Sequence, residues 1–159
     1  MKNILKTQLQ LPANLRFFVK NDTLTIKGSN GSFTLRNINS LKQNKTLFYR
    51  LVQQAVVGVN FGYLNRLSFV GVGYRVESLT DKVITLKLGF SHLITIKIPA
   101  SIKVYSPKKT TLILKSFDLQ KLNLFTARIR SYRFPDAYKG KGILFKKERI
   151  LRKEGKKVG

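Results

Sequence analysis

A chain of 159 residues with 31 Lys and Arg against 7 Asp and Glu carries a net charge of +24, and 43% of it is hydrophobic. Self-repulsion on that scale opposes compaction unless an anionic partner is present, with nucleic acid the first candidate and an anionic membrane surface the second. The hydrophobic fraction supplies a core, which excludes a wholly disordered basic protein, and the lack of cysteine excludes a disulfide framework and thiolate metal sites.

No apolar run approaches the roughly 18 residues of a membrane span. The start, Met1-Lys2-Asn3-Ile4-Leu5-Lys6, has neither a signal-peptide apolar run nor the pattern of a transit segment. The expectation is a protein that works in the compartment where it is made.

The first patterned segment, Leu11-Pro12-Ala13-Asn14-Leu15-Arg16-Phe17-Phe18-Val19, is matched by Ile98-Pro99-Ala100-Ser101-Ile102-Lys103-Val104-Tyr105-Ser106. Thr23-Leu24-Thr25-Ile26-Lys27-Gly28 is matched by Thr111-Leu112-Ile113-Leu114-Lys115-Ser116 after a one-residue insertion. A repeat this widely spaced is too long for a solenoid and predicts two tandem copies of one small domain. In the first copy, Phe17 to Val19 and Leu24 to Ile26 are predicted strands joined by a turn at Asn21-Asp22. Gly28-Ser29-Asn30-Gly31 is a second turn, and Phe33 to Leu35 a third strand. Leu47, Phe48, Leu51, Val52, Ala55, Val56 and Val59 then share one helical face, with Thr46 as cap and Gly62 as stop.

The second copy begins near Leu67. Its predicted strands are Leu67 to Val76, Val83 to Leu88, Leu93 to Ile98, Ile102 to Tyr105 and Thr111 to Lys115. Ile94, Ile96 and Ile98 alternate with Thr95 and Lys97, the pattern of a sheet with one wet face. Asp118 is placed to cap a helix reaching Tyr132, with Leu122, Phe125, Ile129 and Tyr132 as its buried stripe. Pro135 stops that helix, because the residue before a proline leaves the α region. Strand runs with one helix per copy predict an α+β protein, mostly antiparallel. The expected divisions are residues 1–66, 67–134 and a basic tail, 135–159.

The tail carries the strongest charge signal. From Arg128 to the end there are twelve Lys or Arg against three acids, Asp136, Glu148 and Glu154. Tyr138-Lys139-Gly140-Lys141-Gly142 sets two cations between glycines beside an aromatic, a pattern suited to close-set phosphates. Glycines 140 and 142 are expected to let the main chain lie against a sugar–phosphate backbone. Lys146, Lys147, Arg149, Arg152 and Lys153 extend the cationic run, and Arg128, Arg130 and Arg133 precede it on the helix. The tail is expected to order only on binding. An amphipathic helix lying on a membrane is the competing reading for residues 143–158, though its apolar content is thin and no lipidation signal accompanies it.

Other candidates fare less well as chemistry. Phe69-Val70-Gly71-Val72-Gly73-Tyr74-Arg75 lacks the third glycine and the following helix of a nucleotide loop; its glycines predict a bulge or bend, and Arg75 is placed to reach a phosphate. Gly89-Phe90-Ser91-His92 is a turn holding the only histidine. His92 has no partner ligand for a metal, and Ser91 with His92 lacks an orienting acid for a hydrolase. These two residues are expected to hydrogen-bond within the turn or to touch RNA backbone. The acids form no spaced pair for acid–base work, so no enzyme and no cofactor are expected.

Together these segments resemble the bacterial-type ribosomal large-subunit protein six family, in a form like those of organelles. Leu67-Ser68-Phe69-Val70-Gly71-Val72-Gly73-Tyr74-Arg75, Leu88-Gly89-Phe90-Ser91-His92, Ala127-Arg128-Ile129-Arg130, Pro135 and Tyr138-Lys139-Gly140-Lys141-Gly142-Ile143 keep the family's order across residues 67–145. The first half matches more loosely, through Leu11-Pro12 and Thr25-Ile26-Lys27-Gly28 with Asn30-Gly31. The resemblance implies two tandem α+β domains and a place on the large ribosomal subunit near the sarcin–ricin loop. It implies as partners large-subunit ribosomal RNA and neighbouring ribosomal proteins, with transient proximity to translational GTPases and no membrane or small-molecule substrate. RNA contacts in the second domain and tail carry over to Lys139, Gly140, Lys141 and Gly142, with Arg128, Arg130 and Arg133 nearby. Leu93 stands where the family usually has Pro, and Pro135-Asp136-Ala137 where it often has Pro-Glu-Pro. The stretch between Phe33 and Leu47 is short of a strand or two. A composition heavy in Phe, Ile, Leu, Asn, Lys and Tyr, as an AT-rich genome produces, points to a mitochondrial ribosome, with a plastid or a bacterium as alternatives.

Overall fold

Alternation in Thr23-Leu24-Thr25-Ile26-Lys27 puts Leu24 and Ile26 on one face of a strand, and both are buried. That strand, β2 (Thr23–Gly28), lies between β1 (Arg16–Lys20) and β3 (Gly31–Arg36) in an antiparallel sheet. In this computed structural model, which describes residues 14–146 and 148–155, the chain forms two compact units. One holds residues up to 63 with 117–119; the other holds 64–116 with 120 onward. Leu11, Pro12 and Ala13 of the expected repeat, and Lys147, Lys156 and Lys157 of the expected tail, lie outside the described residues.

In the first unit the β1–β2 hairpin turns through Asn21 and Asp22 at φ 42° and 59°, the left-handed pair that a two-residue hairpin requires. Two helices follow, α1 (Ile38–Gln43) and α2 (Lys45–Asn60). The short α1 lies in the stretch between Phe33 and Leu47 where the family pattern is short of a strand or two. Asp22 anchors it: the Asn39 N–H donates to Asp22 Oδ1 at 2.7 Å and the Ile38 N–H to Asp22 O at 3.2 Å.

Helix α2 begins after Asn44, without a side-chain cap, so Thr46 sits inside its first turn and not at the cap. The reason is that α1 ends one residue before Asn44, leaving no extended residue at position 46 to act as a cap. Leu47, expected on the buried face, is exposed; the core face runs through Phe48, Leu51, Val52, Ala55 and Val56 onto Leu24, Ile26 and Leu35. At the other end, Ser29 Oγ and Asn30 Nδ2 both donate to Asn60 O, and the Asn30 N–H donates to Val59 O. The β2–β3 turn thus satisfies carbonyls that a helix end leaves without partners.

In the second unit β4 (Tyr63–Val70) and β5 (Arg75–Leu79) replace the single strand expected from Leu67 to Val76. The break is a turn from Gly71 to Tyr74, closed by Tyr74 N–H to Gly71 O, which is the bend that Gly71 and Gly73 predicted. β5 joins β6 (Val83–Lys87) and β7 (Ile94–Lys97) in one antiparallel sheet. β8 (Ile102–Lys108) and β9 (Thr111–Ser116) join β4 and β10 (Gly142–Phe145) in the other, in the order β10-β4-β9-β8. Helix α3 (Leu119–Ser131) buries Leu122, Phe125 and Ile129, as its spacing predicted. Asn65 Nδ2 on β4 reaches Asn123 Oδ1 at 2.9 Å and Thr126 Oγ1 at 3.2 Å, tying that helix to the sheet. Among the described residues no helix is long and apolar enough to cross a membrane.

Gly58 tests how tightly the first unit closes. A Cβ there would lie 2.0 Å from Phe117 O and 2.8 Å from Tyr63 Cε2. Gly58→Ala gains helix propensity yet is expected to lower unfolding free energy by about 1–3 kcal/mol through overpacking. Denaturant unfolding of the full chain measures it.

Candidate nucleic-acid interface

Asp136 shapes the basic loop. Its Oδ1 accepts the Tyr138 N–H at 3.2 Å and its Oδ2 the Lys139 N–H at 3.1 Å. Its own N–H donates to Lys141 O at 2.9 Å, and its carbonyl accepts the Gly140 N–H at 2.9 Å. Residues 136–141 are therefore a closed loop, held where Pro-Glu-Pro rigidity is missing. The backbone N–H groups of Lys139 and then Tyr138 hold the Asp136 carboxyl below its ordinary range.

Beyond the loop the chain returns to the sheet. β10 pairs antiparallel with β4, Ile143 opposite Phe69, and Ile143 is fully buried. The expected tail from residue 135 is thus folded protein as far as Phe145, not a segment waiting for a ligand to order it. Gly142 has a reason inside the fold: its φ is +152°, and a Cβ would stand 2.6 Å from Pro135 Cα and 2.7 Å from Phe134 O. Gly140 is also buried, with the Arg152 guanidinium beside it. Both glycines, expected to open the main chain to a sugar–phosphate backbone, let protein pack on protein here.

What the loop presents outward is Tyr138, Lys139 and Lys141, all exposed. Lys139 and Lys141 line a cleft of about 700 Å³ together with Asp136, Arg133, Phe134 and Tyr74. Gly89 and Val72 complete it from the two turns flagged by sequence. The Arg133 guanidinium donates from Nε to Tyr74 Oη at 3.0 Å and lies 5.0 Å from the Phe90 ring centre. It is placed by these aromatics and lines the cleft.

Other predicted contacts are engaged elsewhere. Arg130 Nη2 donates to Glu148 Oε1 at 2.5 Å, and its guanidinium lies 5.5 Å from both Phe134 and Phe145. Glu148 Oε2 accepts the Phe145 N–H at 2.9 Å. Arg130 is a half-buried clamp on the strand exit rather than an open phosphate ligand. Arg75 Nε pairs with Glu77 Oε2 at 2.7 Å on the surface. Arg128 is exposed on α3 and lines a separate, more apolar groove with Pro99, Lys121, Leu124 and Phe125. Ser91 and His92 are exposed on their turn, the His92 ring stacked 5.9 Å from Phe90. Among the described residues no group of three or more His, Cys, Asp or Glu could hold a metal. Lys146, Arg149, Arg152 and Lys153 are exposed, and residues 148–155 form no helix. The Lys153 N–H donates to Ala137 O at 2.9 Å, drawing this segment back beside the loop.

Sequence reasoning missed the organising acids. Asp136 reads as a turn residue only when its carboxylate is seen two and three residues ahead of free N–H groups. The pairing of Glu148 with Arg130 gives no local signal, because the two are eighteen residues apart.

The sign of the Asp136 shift gives a pH test. A depressed folded value means that the loop's stabilisation is fully present above the unfolded carboxylate pKa, about 3.9. It is lost as pH falls through the lower folded value. Amide protection factors at Tyr138 and Lys139, measured by NMR against the intrinsic rate at each pH, are expected to fall on that acid limb. Asp136→Ala is expected to show low protection at every pH.

Against known proteins, residues 70–146 match the family model described as ribosomal protein L6. The chain is 39% identical to the large ribosomal subunit protein uL6 of Chlorobium limicola, over 86% of this chain and 77% of that one. It is 34% identical to the protein of that name from Psychrobacter arcticus over 99% of both chains. With the one from Mycoplasmoides gallisepticum it shares 36% identity over 98% of this chain and 97% of the relative. Identity at this level along nearly the whole length accounts for the bend, turn and loop signatures together: the chain belongs to the ribosomal protein L6 family.

Proposed function

We propose that the protein is a non-enzymatic structural constituent of the large ribosomal subunit, and that the 136–141 loop and its cleft bind large-subunit ribosomal RNA. One observation carries the site. Lys139 and Lys141 are held outward by a loop whose own acid is occupied by backbone N–H groups. Family membership supports the structural role and sets aside the hydrolase reading of Ser91 and His92.

Affinity comes from cations displacing counterions from phosphates. Lys139, Lys141, Lys146, Arg149, Arg152 and Lys153 are exposed contributors, with Arg133 on the cleft wall. Folded RNA is recognised by shape, phosphate and 2′-OH contacts, and exposed Tyr138 is available for stacking on a base. Because the loop is already formed in the free chain, little ordering entropy opposes binding there. The family resemblance supports a location near the sarcin–ricin loop and the docking region of translational GTPases.

Lys139→Glu with Lys141→Glu is expected to abolish incorporation into large subunits while leaving the melting curve of the free protein unchanged. The milder Lys139→Gln with Lys141→Gln is expected to reduce the slope of log affinity against log salt by about two, one per lost phosphate contact. Normal subunit occupancy of the Glu pair defeats the loop assignment.

The ribosome in question is that of the mitochondrial matrix on this reading, which the AT-rich character of the composition supports. Gradient sedimentation of fractionated cells, followed by immunoblotting, is expected to find the protein on large subunits from mitochondria. Its recovery on plastid or bacterial cytoplasmic ribosomes refutes that compartment and leaves the ribosomal role intact.

A further inference from the structure

The first unit carries a second basic surface that the reading above does not use. Strand register decides which side chains share it. Leu24, Ile26, Phe33 and Leu35 turn toward α2, so the alternate residues form the opposite, wet face. At its centre Phe18 is opposite Thr25, which is opposite Thr34. On one side Arg16 pairs with Lys27, and on the other Lys20 pairs through Thr23 with Arg36.

Phe18 is 48% exposed and buries no core; the Lys27 Nζ lies 5.3 Å from its ring centre. An aromatic left in water on the edge strand β1, with Arg16 and Lys20 two residues to either side and Lys27 over its ring, and Arg36 across the same face, is out of place on a surface with no partner. The chain's only acid before Glu77 is Asp22, and its carboxylate holds the Asn39 N–H at the hairpin end. Nothing anionic among the described residues of this face offsets the charge.

We propose that this open sheet face binds a short run of unpaired RNA. One base stacks on Phe18, and flanking phosphates are taken by Arg16, Lys20, Lys27 and Arg36. Thr25 and Thr34 hydroxyls, 3.4 Å apart, stand beside the ring to hydrogen-bond a base edge or a 2′-OH. A flat surface about 10 Å across, two strand spacings wide, suits splayed nucleotides. A duplex keeps its bases stacked inside and cannot use the ring. An acidic protein segment would match the charge but gains nothing from a lone exposed ring without a groove.

The chain contains no tryptophan, so Phe18→Trp in the full-length protein gives a single indole reporter at the proposed stacking site, excited selectively over the tyrosines at the red edge of the absorption band. It is titrated with single-stranded oligoadenylate, with an RNA duplex at equal phosphate, and with polyglutamate. Each titration is repeated in the Lys139→Gln, Lys141→Gln background, which separates this face from the cleft. Quenching by the single strand alone, retained in that background, is the expected result. Phe18→Ala is expected to weaken oligoadenylate binding in the same background roughly 10-fold. No quenching, equal responses to duplex or polyglutamate, or unchanged affinity in Phe18→Ala overturns the proposal. Its failure leaves the cleft reading standing, because incorporation of the loop variants is scored independently.

Discussion

The antiparallel pairing of β10 with β4 is the constraint on which the cationic loop depends. It fixes the chain at Gly142, where the backbone of residues 134 and 135 packs against a position with no room for a side chain. The Ile143 N–H also reaches Arg133 O at 3.0 Å, so the strand's entry is tied to the end of α3. Between Pro135 and Gly142 the main chain then has few ways to run. Asp136 selects one by accepting two N–H groups inside the loop. Lys139 and Lys141 face outward because their glycine neighbours are packed inward. The ordering cost of that segment is met when the protein folds, with Ile143 burial contributing to it, and not when a ligand arrives.

Acids in this chain organise charge more than they cancel it. Asp22 anchors a helix start, Asp136 closes a loop and Glu148 fastens Arg130 at the exit of β10. Glu77 pairs with Arg75 at the surface, where such pairs contribute little to stability. The Arg130–Glu148 pair differs, being half-buried between two aromatic rings and coupled to a backbone N–H through the second carboxylate oxygen. Removing one partner would leave the other partly desolvated without compensation. The net positive field is therefore preserved at the surface, while the few negative groups set local geometry beneath it.

Period-two and helical spacing made most of the elements legible. Leu24 and Ile26, Ile94 and Ile96, and the Leu122–Phe125–Ile129 stripe each lie where their spacing puts them. The elements that escaped are short. Helix α1 has six residues and β10 has four, too few for a period to rise above the basic residues around them. β10 also depends on pairing with residues some seventy positions earlier, which no local pattern encodes. The site was half legible for the same reason. Lys139 and Lys141 announce themselves by charge, but whether a cation is open or engaged depends on a distant partner. Arg130 and Arg133 look alike in sequence, and the fold gives one a carboxylate and the other a tyrosine hydroxyl.

Stability and binding pull in opposite directions here, and the fold resolves this by separating faces. Each small sheet hides an aliphatic face, with Ile26 in one unit and Leu67, Leu86 and Leu114 in the other fully buried. A net charge of +24 on so small a protein raises the free energy of the compact state in isolation. Neutralising the exposed cations by a polyanion removes that repulsion, so binding and folding reinforce each other. A chain balanced by more surface acids would be more stable alone and would hold phosphates less well. The scarcity of acids, and the inward engagement of Asp22, Asp136 and Glu148, is what a chain needs if its working state is a bound one.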